Sequence, residues 1–386
     1  MRWRIRKQDK VVTEIRIPYN PNPSYKTYVS PSAALSVLGA QCDVTPALGS
    51  FYINIALAPK SEQRPFFMRI SPWLELDQFA GMGYFNFDSI DIDRNSFQPL
   101  GTLEYLLEKI SNGFCVLVNA NKFYIPESNR FLRVDDLHPC VIAGFNDEKK
   151  LFDVYMYNRS GEYGLVHVHY LFMLMALRYS KTNRARRVST IKGYKYSLSE
   201  EVNMFSPYDA IFQINSYLSS SCGNIEDEPW IRSKIPEESW RMMIEKEGVV
   251  YGIEAVRLHV RILRDEISRK EQIDMRRTRV VWERKKIMLG NLKYWGKITG
   301  NEHTFSSLHL RYKGIVDWAH KSHMSVFEYN KNSNTENVSD LLNKVDDTLR
   351  MEKEILSIAR NSLISSFPET SSSQVSKVVD PKYLVS

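Results

Sequence analysis

The stretch "HPCVIAGFNDEKKLFDVYMY", residues 138–157, constrains the fold more than any other part of the chain. Two apolar runs rich in β-branched and aromatic residues flank a charged turn near Asp147–Glu148–Lys149. Such runs read as strands, and so short a connection makes them an antiparallel hairpin. Closure at that turn sets Gly144 opposite Asp153, Val141 opposite Met156 and Pro139 opposite Asn158. Upstream, "FCVLVNANKFYIP" (114–126) is a third strand-like run. "PLGTLEYLLEKISNG" (99–113) is an amphipathic helix with Leu100, Leu103, Leu106, Leu107 and Ile110 on one face and Gly113 placed to cap it. Residues 30–58 carry small and apolar residues at helical spacing broken by Pro46, which reads as two short helices or a helix and a turn. Residues 1–30 are irregular and strand-rich, because Pro18, Pro21 and Pro23 forbid a helix there. "HVHYLFMLMALRYS" returns the chain to helix. The expected architecture is an α+β layered domain over 1–215 whose antiparallel strands come late.

From about residue 230 the pattern changes. "PEESWRMMIEKEG" has the Pro-Glu-Glu start of a helix. "VVYGIEAVRLHVRILRDEISRKEQ", "DMRRTRVVWERKKIMLGNLKYWGKI", "FSSLHLRYKGIVDWAHKSHMSVFEYN" and "VSDLLNKVDDTLRMEKEILSIARNSL" place apolar residues three and four apart. They predict four long helices in an all-α bundle domain, 230–365, followed by a flexible Ser/Pro-rich tail, 366–386. Net charge concentrates here. Between Ala255 and Lys297 there are thirteen Lys or Arg against five Asp or Glu, so this segment supplies the whole net charge of +7. A basic face of that kind recruits an acidic protein, acidic lipid or nucleic acid, or is a solvated helix surface.

The longest apolar run, "LFMLMAL" (171–177), is far short of the roughly 20 residues of a membrane-spanning helix. The basic N-terminus is not followed by the apolar stretch of a secretory signal. Four cysteines, Cys42, Cys115, Cys140 and Cys222, are widely spaced without a CxxC pair, which fits a reducing cytoplasm.

His138 opens the first strand of the hairpin. As a catalytic base it needs a nucleophile, since imidazole takes a thiol's proton near neutral pH. It also needs an orienting side chain. On the expected register Asp153 is roughly 20 Å away at about 3.3 Å per residue, whereas Asn158 lies alongside. Asn158 is therefore the candidate orienter. Cys42 lies beside helical sequence, where a helix N-terminus lowers a thiol pKa. Cys140 shares a strand face with His138 but alternates into the core, and Cys115 in "FCVLV" reads as a small core residue. A polar residue closing an ordinary strand is the commoner explanation of a lone histidine.

The run Phe123-Tyr124-Ile125-Pro126, then His138, then Gly144-Phe145-Asn146-Asp147 resembles the family named for the N-terminal domain of butirosin biosynthesis protein H, within the papain and C39-peptidase structural group. "YGIEAVRLHV…IDMRRTRVVWERKKIMLGNLKYW" is similar to the C-terminal helices of relatives found with nonribosomal peptide and polyketide clusters. It departs from them at Glu283-Arg284-Lys285-Lys286, where they typically carry Glu-His-Lys-Lys. The resemblance implies a papain/C39-like N-terminal domain. It also implies transfer of an acyl group from a phosphopantetheine thioester on an acyl or peptidyl carrier protein to a small-molecule or peptide amine, or cleavage of that thioester. Under it, His138, Asn158 and Cys42 are the catalytic candidates, and Tyr124 and Cys140 line the substrate. Arg276, Arg277, Arg279, Arg284, Lys285 and Lys286 meet the acidic carrier protein. No bound cofactor or metal is implied, because the phosphopantetheine arrives on the carrier. In papain-like sites the nucleophile opens a helix, whereas Cys42 directly follows Gln41 and closely precedes Pro46. The alternative is a catalytically inactive member acting as a binding or scaffold protein in a synthetase assembly.

His167 and His169 share a strand face, half of a metal site without further ligands nearby, and read as surface or interface histidines. Asp88, Asp91 and Asp93 lack the glycine and terminal glutamate of a calcium loop and read as an exposed turn. Val280, Val281, Trp282, Ile287 and Met288 give the most basic helix a buried face, which favours a bundle with one charged side over a nucleic-acid reader.

Overall fold

The computed structural model describes residues 6–7, 10–11, 13–58, 67–71, 85–92, 98–178, 189–196, 205–220, 249–333 and 336–368. The expected helix at "PEESWRMMIEKEG", nearly all of the tail, Asp93 and Cys222 lie outside these residues. The chain divides into two compact units, 1–43 with 74–202 and 44–73 with 203–386. Residues 44–73 thus group with the helical unit and not with the α+β unit. Elements are numbered along the chain.

In the first unit β1 (Arg6–Lys7) and β2 (Lys10–Val11) pair in a short ladder. A seven-stranded antiparallel sheet follows, in the order β10 (Tyr163–His169), β9 (Leu151–Tyr157), β8 (Leu137–Asn146), β7 (Cys115–Asn121), β11 (Ser189–Tyr196) and β6 (Phe85–Ile92). β3 (Glu14–Arg16) takes over the flank of β8 beyond the last β7 pair. Mixed helix and antiparallel sheet agree with the α+β expectation.

Gly144 does face Asp153, but Val141 faces Tyr155 and not Met156. A bulge between Ile142 and Gly144 inserts Ala143, so the registers on its two sides differ by one residue. Without that extra residue the slip would send Phe152, Val154 and Met156 to the wrong face. With it, all three join Val116, Val118, Cys140 and Ile142 in one buried cluster. Gly144 is obligatory: a Cβ there would meet the Ile15 carbonyl oxygen at 2.6 Å and Asp153 at 3.0 Å.

Helix α3 (Pro99–Ser111) and helix α4 (Tyr170–Arg178) supply residues to that same cluster. Leu103, Leu106, Leu107 and Ile110 are buried, each contributing about 1.5–3 kcal/mol. Leu100, expected on the same face, is 57% exposed, because it sits in the first turn before the helix reaches the sheet. Gly113 adopts φ +86 just past the helix end, as its capping role requires. Helix α1 (Val29–Gly39) also packs on β8. The "SIDID" aspartates Asp88 and Asp91 stand on strand β6 and not in a turn; Asp88 pairs with Lys109.

The second unit opens with α2 (Thr45–Phe51), followed by β4 (Asn54–Ala58), a strand where the sequence pattern suggested helix or turn. β4 lies between β5 (Phe67–Ser71) and β12 (Val250–Tyr251). Helices α5 (Pro207–Ser219), α6 (Gly252–Ser268), α7 (Met275–Thr299) and α8 (Glu302–Asn332) follow. The expected last helix is two, α9 (Glu336–Asn343) and α10 (Val345–Ser366). Asp274 caps α7 by accepting from the Arg276 N–H at 3.0 Å, and Gly300 ends it in the left-handed region at φ +66. Among the described residues no helix is long and apolar enough to cross a membrane.

Candidate active site at the mouth of strand β8

His138 lies half-buried at the start of β8, opposite Ala120 of β7. Its Nδ1 is 3.1 Å from the Pro139 carbonyl oxygen. Its ring meets Tyr157 edge-on, with centroids 6.1 Å apart. The Tyr157 hydroxyl donates to the carbonyl of Lys26, two residues before the N-cap of α1. One aromatic ring therefore links the strand-mouth imidazole to the segment leading into a helix N-terminus. Tyr124, expected to line substrate, is half-buried with its ring edge-on to Phe123 at 5.1 Å.

The structure does not bring Cys42 to that end of the helix. Cys42 follows the C-terminus of α1, and its thiol donates to the Leu38 carbonyl at 3.3 Å. Eleven helical residues at about 1.5 Å each put it roughly 16 Å along the axis from the Tyr28 N-cap. A helix C-terminus presents carbonyls, which disfavour a thiolate, and burial raises the Cys42 pKa against a lowering hydrogen bond with Tyr196. The first turn of α2 starts only three residues on, at Thr45, while burial still raises the Cys42 pKa. Cys115 and Cys140 are buried strand residues whose thiols are pushed up to about 12 by burial. Cys140 does share the His138 side of the strand, as expected, but faces into the core cluster.

Asn158 does not serve as orienter through its oxygen. Its Oδ1 accepts from the Ser160 N–H at 3.0 Å, the Ser160 hydroxyl at 2.7 Å and the Glu162 N–H at 3.0 Å. It therefore holds the β9–β10 turn, the usual local competition of Asn side chains for backbone donors.

Other imidazoles are committed elsewhere. His167 Nδ1 bonds Asp153 Oδ1 at 2.8 Å, and Asp153 Oδ2 takes Arg16 Nε at 3.0 Å. His169 Nδ1 accepts from the Leu171 N–H at 3.2 Å, at the start of α4. Among the described residues no group of three or more His, Cys, Asp or Glu is placed to hold a metal ion.

The residue that sequence reasoning missed here is Lys122. It is 5% exposed, directly follows β7 and places its ammonium 5.6 Å from the centre of the Tyr157 ring. Its signal was the lysine inside "VNANKFYIP", directly before the aromatic pair.

The six cationic residues assigned to a partner surface separate sharply. Arg276 is exposed and clasps Asp274, Arg279 is held by Glu283 at 3.0 Å, and the exposed Lys286 lies over the Trp282 ring at 5.0 Å. Arg277 is buried against Glu266 at 2.5 Å. Arg284 and Lys285 are wholly buried and both pair with the equally buried Glu352. Those three are corrected from surface contacts to internal ones. Around Glu352, Oε1 accepts from Arg284 and from Tyr312 at 2.5 Å, while Oε2 accepts from Lys285 and from Tyr217 at 2.6 Å. Arg284 also donates to the Ile53 carbonyl at 2.6 Å and stacks on Tyr217 at 3.8 Å. Glu352 faces two cations and is held down to about 2, chiefly by Lys285 and Arg284 acting against its desolvation. Lys285 shares one carboxylate with a like-charged neighbour, so burial wins and pulls it down to about 7.

No protein-family model matches this chain, and no curated protein matches it.

Proposed function

We propose that the chain is a papain/C39-like member that binds the thioester-bearing arm of an acyl or peptidyl carrier protein within a cytoplasmic synthetase assembly of specialised metabolism, without covalent catalysis by Cys42, Cys115 or Cys140. One observation carries this reading. The Cys42 thiol is bonded to the C-terminal turn of α1 and has a raised pKa, and the other two described thiols are sealed in a sheet core with raised pKa values. A thiol must be ionised and reachable to attack a thioester; Cys115 and Cys140 are neither, and the half-buried Cys42 is held towards its neutral form.

A second reading, acyl transfer to an amine or thioester cleavage with His138 as base, is favoured by one feature. The half-exposed His138 is linked through Tyr157 to the approach of α1. Incubation with an acyl-loaded holo-carrier protein, followed by intact-mass spectrometry of both partners, separates the two. Saturable binding with the acyl group retained on the carrier supports the binding role. Turnover or an acyl adduct, abolished in His138→Ala and in either Cys42→Ala or Cys222→Ala, refutes it in favour of catalysis.

A further inference from the structure

A lysine side chain buried without a counter-ion costs several kcal/mol in desolvation, and a sequence selected for stability alone puts Met or Leu in such a place. Lys122 comes close to that case: the residue is 5% exposed, and its Nζ keeps some contact with solvent. Among the described residues its ammonium makes no hydrogen bond and no ion pair; its recorded contact is the face of Tyr157. Such a cation–π contact recovers only about 0.5–2 kcal/mol. The nearest acidic residue acting on it, Asp136, uses its backbone carbonyl to accept the Lys122 N–H at 2.9 Å, while its carboxylate sits 4.0 Å from Arg130. Burial lowers the Lys122 pKa, as expected for an ammonium without a partner.

Its position matters as much as its burial. Lys122 is two residues beyond Ala120, which pairs with His138, and its backbone N–H donates to the carbonyl of Asp136, two residues before His138. Both approach the same Tyr157 ring, the imidazole at 6.1 Å and the ammonium at 5.6 Å. The half-buried rings of Phe123 and Tyr124 adjoin it in sequence.

We propose that Lys122, with His138 and Tyr157, forms a subsite for an oxyanion of the bound ligand. The ammonium takes the anionic oxygen, the imidazole supplies a second polar contact, and the aromatic side chains flank the uncharged part. The proposed carrier-arm function suggests two sources for that oxyanion, the phosphate of the arm or a carboxylate on the acyl group; the subsite itself does not depend on that function.

Isothermal titration of the full chain with six probes tests this: pantetheine, 4′-phosphopantetheine, acetyl-pantetheine, malonyl-pantetheine, inorganic phosphate and acetate. We expect one anionic probe to bind at least tenfold more tightly than its neutral counterpart. A preference for phosphopantetheine assigns the phosphate, and a preference for malonyl over acetyl assigns the carboxylate. In Lys122→Met, which preserves side-chain volume and burial, the preference falls below twofold while the neutral probes bind as before. Lys122→Arg retains it, which guards against a misfolded Met variant. Equal affinities in wild type and Lys122→Met overturn the subsite and leave the carrier-arm function standing. Lys122-dependent binding of inorganic phosphate or acetate, with no binding of any pantetheine probe, keeps the subsite and removes the carrier arm. No Lys122-dependent binding of any anion overturns the proposal.

Discussion

Replacing Glu352 by Gln is the most incisive perturbation of the helical unit. The carboxylate, on α10, is fully buried and accepts four side-chain donors, two on each oxygen, from helices α5, α7 and α8. The amide keeps the shape, removes the negative charge and leaves Arg284 and Lys285 buried together without compensation. Breaking a buried pair from one side costs about 3–5 kcal/mol, much of a domain's stability of about 5–15 kcal/mol. The reverse deletion, Lys285→Met, leaves Arg284 and Glu352 as a neutral pair and removes a cation that burial already disfavours. Its expected cost is about 1 kcal/mol or less. Six of the seven tryptophans lie in this unit, so fluorescence-monitored urea unfolding reports on it selectively. A Gln variant within about 1 kcal/mol of wild type, or equal losses in the two variants, refutes the assigned asymmetry.

The same cluster predicts a pH dependence. Lys285 is lowered to about 7 in the folded chain against an ordinary 10.5, so between those values the unfolded state binds the proton that the folded state releases. Stability should rise from pH 7 to pH 9.5 in wild type, and this rise should be missing in Lys285→Met. In Gly252→Ala a methyl group meets the Tyr217 carbonyl oxygen at 2.2 Å at a backbone φ of +60, so the melting temperature of the helical unit should fall by several degrees; an unchanged melting curve counts against the packing of α6 on α5. Brief alkylation with peptide mapping should modify Cys42 ahead of Cys115 and Cys140, and early modification of Cys140 contradicts its burial.

Local pattern revealed much of the hairpin and of the helices, because both depend on neighbours in sequence. The turn, the Gly144–Asp153 pair and the Leu103/Leu106/Leu107/Ile110 face were all legible. The Ala143 bulge was not, since an inserted residue leaves no mark in an already apolar strand. "ERKK" resembled a solvated cationic patch. Yet Arg284 and Lys285 fall three and four residues after Val281 and before Met288, on the stripe that faces the bundle, and only the acidic Glu352 some seventy positions later makes that burial tolerable. Cys42 stands between two helices, and nearness in sequence does not say which helix end its thiol meets. Lys122 escaped notice because a lysine beside aromatics reads as surface until its exposure is known.

The strand Asn54–Ala58 pairs along one edge with the nearby Phe67–Ser71 but waits on the other for Val250–Tyr251, almost two hundred residues downstream. As the chain leaves the ribosome, this early segment is made long before the residues that cover it. The completed first unit must therefore loop it out, with Tyr52, Ile53 and Ile55 uncovered, until the helices arrive. A truncation near residue 215 strands that loop permanently, so an excised N-terminal piece invites aggregation, whereas one that also omits 44–73 spares itself the hazard.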